Sequence, residues 1–274
     1  MFSAVICTYI NDHSNLLKKA LESIHSQDLM PSEVILVQDG PIRPEAHEII
    51  SHFKAELESK NIHIKYHAFD ENVGHGEARR AGINLASNDI IAICDADDIN
   101  YPNRFKKQYN YLLKNQKISV VGADIHESNQ GKLISKRSVP SSPKDVIRYC
   151  RYRCPMNQMT VMFRRQDIEA VGGYRDFYHN EDYFLWIRLI NSGHLLANIP
   201  EVLVEANIDP KTFNRRGGYR YFRSEFDIQV LLLRYNITNI GIFFINIAIR
   251  ILIQLLIPSS LRQVMFKKFF RNKK

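Results

Sequence analysis

Three aspartates lie close together in the stretch NDIIAICDADDIN. Asp95, Asp97 and Asp98 directly follow an aliphatic run, and carboxylates this close to one another disfavour each other's ionisation. A hard divalent cation such as Mg²⁺ or Mn²⁺ needs oxygen ligands of this kind, often with substrate phosphates completing its shell. Such a cation would also relieve the repulsion. The stretch therefore predicts a metal site at Asp95, Asp97 and Asp98 that acts on a diphosphate group.

The segments around these aspartates alternate between apolar, strand-like runs and amphipathic, helix-like runs. The strand-like runs are FSAVICTYI, EVILVQDG, IHIKYHAF, DIIAICD and ISVVGA. Strands separated by helices predict βαβ units and an α/β fold with a Rossmann-like, doubly wound, mostly parallel sheet. Ligands of such sheets bind at the carboxyl ends of the strands. Thr8, Tyr9 and Asp39 fall at those ends, so we expect them in the same crevice as Asp95.

The end of the chain differs from the rest in charge and in pattern. Residues 211–274 contain 13 Lys and Arg against two acids, whereas the first 210 residues carry a net charge of −3. The apolar run 240–257 has polar residues only at Asn246, Arg250 and Gln254. Their spacing of four places them in one stripe of a helix whose other faces are apolar.

The sequence of the apolar run 240–257 is compatible with two locations. Arg250 near its middle would cost about 2.5–3.5 kcal/mol in a membrane span. A helix lying in an anionic membrane surface, followed by the basic segment 258–274, is therefore favoured. The alternative is that the run packs on the protein's own core. Because the N-terminus lacks a secretory signal, the prediction is a cytoplasmic protein, peripheral on the inner face of the cell membrane.

Five ordered motifs resemble those of family-2 glycosyltransferases of the GT-A fold, similar to bacterial members that build capsule or O-antigen. They are VICTYIND, EVILVQDG, ENVGHGEARRAGI, ICDADDINYPNRF and NEDYFLWIRL. The resemblance implies a GT-A domain over residues 1–210, with a nucleotide half at about 1–123 and an acceptor half at 124–210. Residues 211–274 would form a helical, membrane-associating extension.

The resemblance also implies how a nucleotide-sugar is held, a UDP-sugar being favoured. Its implied contacts are Thr8, Tyr9, Asp39, Arg79 and Asp95. Asp95 and Asp97 would bind the Mn²⁺ or Mg²⁺ cofactor. Two positions depart from the usual motifs: Gln38 replaces an aspartate that often precedes Asp39, and Arg80 replaces a frequent asparagine. The first departure changes one of the implied nucleotide contacts.

The NED motif is implied to hold the catalytic base, Asp182 with Glu181 beside it, which takes the proton of the attacking sugar hydroxyl. Its alternative interpretation is an ordinary helix N-terminal cap, where acids are favoured anyway. Trp186 lies one helical turn after Asp182 and so on the same face. It is predicted either to line the acceptor site or to pack in the core.

Two further roles are left open between a functional and a structural interpretation. Arg215 and Arg216, in the segment KTFNRRGG, are predicted to close over the diphosphate or to meet lipid headgroups. Asp98 is predicted either as an additional metal ligand or as the cap of the helix that follows it.

The predicted function is an inverting, metal-dependent glycosyltransferase of the hexosyl or N-acetylhexosaminyl class. It would move a sugar from a nucleotide-sugar to a lipid-linked or oligosaccharide acceptor in surface polysaccharide synthesis. One alternative is a DxD phosphatase with Asp95 as nucleophile, which leaves the NED motif unused. The other is a non-enzymatic adaptor that binds membrane or nucleic acid through residues 211–274. The net negative charge before residue 211 argues against a nucleic-acid partner.

Overall fold

The computed structural model describes residues 1–129, 131–208 and 217–257. Its first part alternates strands and helices, as the sequence pattern predicts. These elements are β1 (Ser3–Tyr9), α1 (Ser14–His25), β2 (Glu33–Asp39), α2 (Pro44–Ser59), β3 (His63–Ala68), α3 (His75–Leu85) and β4 (Ile90–Asp95).

The part that follows contains shorter elements and two long strands. In chain order these are β5 (Ile99–Asn100), α4 (Arg104–Lys114), β6 (Ile118–Asn129), β7 (Lys132–Arg137), α5 (Pro143–Cys150), a 3₁₀ turn (Gln158–Thr160), β8 (Met162–Arg164), α6 (Arg165–Ala170), α7 (Glu181–Asn191) and β9 (Leu195–Asn207). Two helices come next, α8 (Tyr219–Arg234) and α9 (Ile240–Arg250), and α9 continues as a π-helical turn (Ile251–Leu256).

Nine strands within the described residues form one sheet, in the order β3-β2-β1-β4-β8-β6-β9-β5, with β7 paired to β6. The four strands β3, β2, β1 and β4 are parallel, as predicted. The prediction of a mostly parallel sheet is wrong beyond β4, because β8 runs antiparallel to both β4 and β6. β5 and β7 are antiparallel to their partners as well, whereas β6 and β9 are parallel. The fold is therefore mixed α/β.

The parallel strands are buried on both faces, which explains their nearly continuous apolar sequences. Alternate residues of β1 enter different cores. Ala4 and Ile6 pack with residues of α1, α2 and α4, and Val5 packs with residues of α3 and α7. α3 approaches the sheet closely at Gly82, where a Cβ atom would lie 2.5 Å from Val5 Cγ1. This close packing fixes the position of the first turns of α3 above the carboxyl ends of the strands.

The C-terminal helices place their polar stripe inward and their apolar face outward. Asn246, Arg250 and Gln254 are buried, and Arg250 Nε donates to Glu225 of α8 at 2.7 Å. The Asn246 amide donates to the Arg151 carbonyl at 2.8 Å. The stripe predicted from the spacing of four is thus the side that packs on the protein.

The outward side of these helices is strongly apolar. Its exposed members are Ile240, Phe244, Ile245, Ile249, Ile251, Leu252, Leu255 and Leu256. Within the described ranges, every helix is too short or too polar to cross a membrane. Packing on the protein and exposure of an apolar surface therefore occur together on one helix, although the sequence presented them as alternatives. The division of the chain into a nucleotide half, an acceptor half and an extension, with boundaries at residues 123 and 210, stays a prediction.

Candidate active site

One buried arginine connects the acidic turn after β4 to the start of α7. Arg79 of α3 donates from Nη2 to Asp95 Oδ1 and from Nη1 to Glu181 Oε1, both at 3.0 Å. The arginine side chain is 8% exposed, and the two carboxylates are about one-fifth exposed. Both carboxylates raise the pKa of the guanidinium although burial opposes them, so Arg79 stays charged. Two motifs that are distant in the sequence therefore lie at the same site.

The acidic stretch forms a tight turn in which the Asp98 amide donates to the Asp95 carbonyl at 3.3 Å. Asp98 is buried, and its Oδ1 accepts the Asn207 amide of β9 at 2.8 Å. Burial and the charges of Asp97 and Asp95 raise its pKa well above the usual carboxyl value. Asp98 therefore joins the turn to β9. The prediction that Asp98 caps the following helix is wrong, because the N-cap of α4 is Asn103.

The three-carboxylate metal cluster predicted from Asp95, Asp97 and Asp98 is not formed. Within the described ranges, no group of three or more His, Cys, Asp or Glu side chains is arranged to hold a metal ion. Asp95 and Asp97 both lie in the turn, and Asp97 Oδ2 accepts from the side-chain amide of Asn207 at 3.5 Å. Mg²⁺ is commonly bound by one or two carboxylates plus substrate phosphates. The donor set of Asp95 and Asp97 fits that mode.

Asp12, in the loop after β1, adds to the negative charge at this point. Burial and the nearby Asp97 and Asp95 raise its pKa to about 7, and its Oδ2 accepts the Tyr9 amide at 3.0 Å. Carboxylates that hold each other's pKa high favour a bound cation. The sequence interpretation omitted Asp12, although its place just after a strand end was a usable signal.

The predicted nucleotide-binding residues of β1 and β2 lie side by side. In the parallel register Tyr9 is opposite Asp39 and Thr8 is opposite Gln38. Asp39 is buried and accepts from the Val73 amide at 2.6 Å and from the Asn72 side chain at 2.9 Å. Asp39 thus fixes the loop before α3, and its contact with a nucleotide stays a prediction.

Gly40 permits this approach between loop and strand. Its φ is +78°, and a Cβ atom there would lie 2.7 Å from the Asn72 backbone nitrogen. Gln38, one of the two departures from the motifs, accepts from the Tyr66 hydroxyl and donates to the Gly40 carbonyl at 2.9 Å. Arg80, the other departure from the motifs, is exposed and pairs with Glu77 on the surface of α3 at 2.6 Å.

Asp182 begins α7 beside Glu181 but has different partners. Its Oδ1 accepts the Tyr183 amide at 2.7 Å, and its Oδ2 accepts from the Cys154 thiol at 3.7 Å. Burial, and next the negative charge of Glu181, raises its pKa to about 6. A carboxylate with a pKa just below neutral pH is ionised in the cell and still basic enough to accept a proton.

The loop before α7 is held by the C-terminal helices. The Asn180 amide donates to the Ser224 hydroxyl of α8 at 2.9 Å, and that hydroxyl donates to the Tyr178 carbonyl at 2.7 Å. His179 between them has a φ of +55°, a conformation that non-glycine residues rarely adopt. α8 therefore positions the segment that presents Asp182.

The prediction that Trp186 lines the acceptor site is wrong. Trp186 is 0% exposed and packs edge-on against Tyr174 with ring centroids 6.4 Å apart. Most of α7 around it is also buried, including Leu185 and Leu189. Sharing a helix face with Asp182 does not bring Trp186 to a ligand, because that helix is enclosed by the core.

A pocket of about 590 Å³ adjoins Arg79 and the start of α7. The predicted residues Thr8, Tyr9, Asp39 and Asp97 are not part of its lining. Its walls include Arg79 and Asp95 on one side and Glu181 and Asp182 at the start of α7. The C-terminal helices close another side with residues that include Tyr221, Glu225, Asn246, Ile249, Arg250, Ile253 and Gln254. The predicted residues Arg215 and Arg216 lie outside the described residues. Helices α8 and α9 and the π-helical turn thus form part of the pocket wall.

Several pocket residues were missed by sequence reasoning. Arg137 of β7 and Cys154 after α5 line the pocket, and the Arg137 Nη2 donates to the Cys154 carbonyl at 3.3 Å. Both come from the segment between residues 124 and 179, in which the sequence showed none of the five motifs. Only the folding of β7 and α5 toward α7 reveals them.

Comparison with known proteins agrees with this architecture. The profile of "Glycosyl transferase family 2" matches residues 3–173. An Escherichia coli relative, the UDP-Gal:alpha-D-GlcNAc-diphosphoundecaprenol beta-1,3-galactosyltransferase, is 34% identical over 99% of this chain and 97% of its own.

Two solved structures share the fold. S. aureus TarS 1–349 in complex with UDP-GlcNAc superposes with a TM-score of 0.65 over 92% of this chain and 72% of its own, at 17% identity. The mannosyltransferase PcManGT from Pyrobaculum calidifontis, in complex with GDP-Man and Mn²⁺, superposes with a TM-score of 0.63 at 14% identity. That match covers 96% of this chain and 78% of the other.

Proposed function

The chain belongs to glycosyl transferase family 2. From this premise we propose that it is an inverting transferase that moves a hexosyl or N-acetylhexosaminyl group from a nucleotide-sugar to a lipid-linked acceptor. The reaction would serve surface polysaccharide synthesis. A UDP-sugar is the favoured donor. The name of the E. coli relative includes UDP-Gal, and the TarS structure contains UDP-GlcNAc. The phosphatase and adaptor alternatives do not fit this family.

The observation that carries the proposal is the Arg79 bridge between Asp95 and Glu181. Because of this bridge, the acidic turn of Asp95 to Asp98 and the NED motif adjoin the same pocket. A transferase of this kind needs a site for the departing diphosphate and a base near the incoming hydroxyl. The two ends of the bridge correspond to those two requirements.

In the proposed reaction each residue has a separate task. Thr8, Tyr9 and Asp39 would hold the base and ribose at the ends of β1 and β2, and Arg215 and Arg216 would approach the diphosphate. Asp182 would remove the proton of the acceptor hydroxyl as its oxygen attacks the anomeric carbon, and the nucleoside diphosphate would leave on the opposite face. Asp95 and Asp97 would hold Mg²⁺ or Mn²⁺, whose chemistry is to neutralise charge on the leaving diphosphate.

The direct test is a donor screen. The protein is incubated with Mn²⁺, an N-acetylglucosaminyl diphosphate carrying a long alkyl chain, and UDP-, GDP- or dTDP-sugars, and nucleoside diphosphate release is followed. We expect release with at least one UDP-sugar, loss of release with EDTA, and recovery with added Mn²⁺ or Mg²⁺. No donor binding and no metal dependence would contradict the proposal.

The pKa of Asp182 predicts how the rate depends on pH. An aspartate in water titrates near pH 3.9, whereas Asp182 in the folded protein has a pKa of about 6. Below that pH the carboxyl is protonated and cannot accept the proton of the acceptor. We expect kcat/KM to fall about tenfold per unit as the pH decreases below about 6. An acid limb near pH 4 would instead assign the base to a more exposed carboxylate.

We also propose that the outer face of α9 and the π-helical turn lies on an anionic membrane. Phe244 and Leu256 on that face are 63% and 68% exposed, and an apolar surface of this kind marks an interaction site. The following segment 258–274 contains six basic residues and no acid, which suits negatively charged headgroups. Arg250 carries no insertion cost in this arrangement, because it is paired with Glu225 inside the protein.

Membrane binding is tested by placing charge on that face. The double variant Ile245→Glu, Leu252→Glu changes two residues that are 58% and 50% exposed. We expect its flotation with phosphatidylglycerol-containing vesicles to weaken about tenfold or more. The matched control is Leu113→Glu, at an equally exposed leucine on α4. Equal loss in both proteins, or no loss in the double variant, would contradict the proposed orientation.

A further inference from the structure

The wall of the pocket near Asp182 contains a cation that the proposed reaction does not use. Arg137 of β7 lines the pocket, and its Nε is buried with no hydrogen-bond partner in the described part of the chain. A buried donor that lacks a partner carries a desolvation penalty. The neighbouring Lys136, in contrast, is paired with Asp124 at 3.0 Å. Because the Arg137 side chain also lines the pocket, a ligand that presents oxygen atoms there would meet its guanidinium.

Arg137 lies on the side of the pocket that holds the proposed base. Its Nη2 contacts the Cys154 carbonyl at 3.3 Å, and the Cys154 thiol contacts Asp182 Oδ2 at 3.7 Å. The guanidinium of Arg137, after that of Arg79, is close enough to lower the pKa of Asp182 against the effect of burial. Asp95, at the donor end, is paired with Arg79 instead. An anion held by Arg137 would therefore belong to the acceptor and not to the donor.

The same pocket reaches the apolar surface of the C-terminal helices. Ile249 and Ile253 line it, and Ile249 is 46% exposed. Leu252 and Leu256 continue the apolar surface along the outer side of these helices. The pocket thus brings together a carboxylate, a guanidinium and an apolar surface.

From this arrangement we infer that Arg137 binds the diphosphate of a lipid-linked sugar acceptor, with the sugar at Asp182 and the lipid chain along the outer face of α9 and the π-helical turn. The inference rests on the proposed function and identifies the acceptor's anionic group and the residue that selects it. A planar guanidinium suits this task because it can donate two parallel hydrogen bonds to phosphate oxygens. Arg137 therefore adds no affinity for acceptors that lack the diphosphate.

The test compares Arg137→Gln with wild type, using a long-chain alkyl diphosphate without sugar as the probe. We expect this probe to compete with the lipid-linked acceptor in the wild type, and its inhibition constant to rise about tenfold to hundredfold in Arg137→Gln. KM for the donor should stay unchanged. Arg137→Lys should recover part of the affinity, because it keeps the charge but not the paired donors. The matched control is Lys132→Gln, an exposed residue of the same strand.

A second measurement uses two acceptors, N-acetylglucosaminyl diphosphate with a long alkyl chain and the same alkyl glycoside without phosphate. The rates are measured about two pH units above the pKa of Asp182, so that losing the Arg137 charge does not protonate this base. Under that condition Arg137→Gln should lower kcat/KM for the first acceptor and leave that for the second nearly unchanged. Equal losses with both acceptors, a raised donor KM, or unchanged competition by the alkyl diphosphate would overturn the inference. If the wild type transfers no sugar but binds the alkyl diphosphate through Arg137, the proposed function fails and the subsite stands.

Discussion

Replacing Asp182 with asparagine is expected to reduce sugar transfer by about 10²- to 10⁴-fold, the usual contribution of a general base. Asparagine has nearly the same shape and can still accept the Tyr183 amide, but it cannot take up the acceptor proton. Asp182 takes no part in the Arg79 bridge and adjoins its Glu181 end, whereas Asp95 forms the other end. Donor affinity should therefore change little. The measurements are kcat with the alkyl-diphosphate acceptor and donor binding by titration. Loss of donor binding would show that Asp182 acts on the donor instead.

The matched control is Asp176→Asn, which removes a different carboxylate from the wall of the same pocket and should leave the rate nearly unchanged. Stability provides a second control. The pKa of Asp182 is raised on folding, so its ionisation costs stability progressively as the pH rises from about 4 to about 6. At pH 7 that full cost is present in the wild type. Asp182→Asn removes it, so the variant should unfold at the same or higher urea concentration.

Replacing Arg79 with methionine is expected to lower the free energy of unfolding by about 3–5 kcal/mol, the effect of removing one partner of a buried ion pair. Asp95 and Glu181 would then face each other about one-fifth exposed and without their shared cation. Activity should fall as well, since the acidic turn and the start of α7 lose their direct link. The measurements are urea unfolding at pH 7 and donor binding under native conditions.

Arg80→Met is the matched control for that variant. Arg80 follows Arg79 in the same helix but is exposed and pairs with Glu77, and surface pairs contribute about 0–1 kcal/mol. The double variant Arg79→Met, Glu181→Gln should recover part of the lost stability, because it removes one of the two uncompensated charges. Similar unfolding midpoints for Arg79→Met and Arg80→Met would contradict the structural importance of the bridge.

The fold of the first hundred residues was predictable from the sequence because its elements are local. The apolar runs of β1, β2 and β4 are separated by amphipathic helices, and such βαβ units have few possible arrangements. The antiparallel strand β8 was not predictable as the neighbour of β4. Its three residues carry no pattern that selects a partner, and its pairing depends on how the chain returns after α5.

The predicted site residues had different outcomes for a common reason. Arg79, Asp95, Glu181 and Asp182 do meet in one pocket, because Asp95 ends β4 and the other three lie in the first turns of α3 and α7. Asp98 and Trp186 share short-range spacing with them but point into the protein. Spacing along a strand or helix predicts which side chains lie on the same face. It does not predict whether that face meets a cavity or the core.

By itself, the sequence determined the alternating strands and helices from β1 to β4, the acidic turn, the position of Asp182 at a helix start and the family of the protein. The tertiary structure decided that the polar stripe of Asn246, Arg250 and Gln254 packs inward, and that α8 and α9 complete the pocket beside Arg137 and Cys154. The physical reason is that periodicity and local motifs are encoded in neighbouring residues. Burial is decided by contacts between segments distant in the chain, such as Arg250 with Glu225 and Arg79 with Glu181.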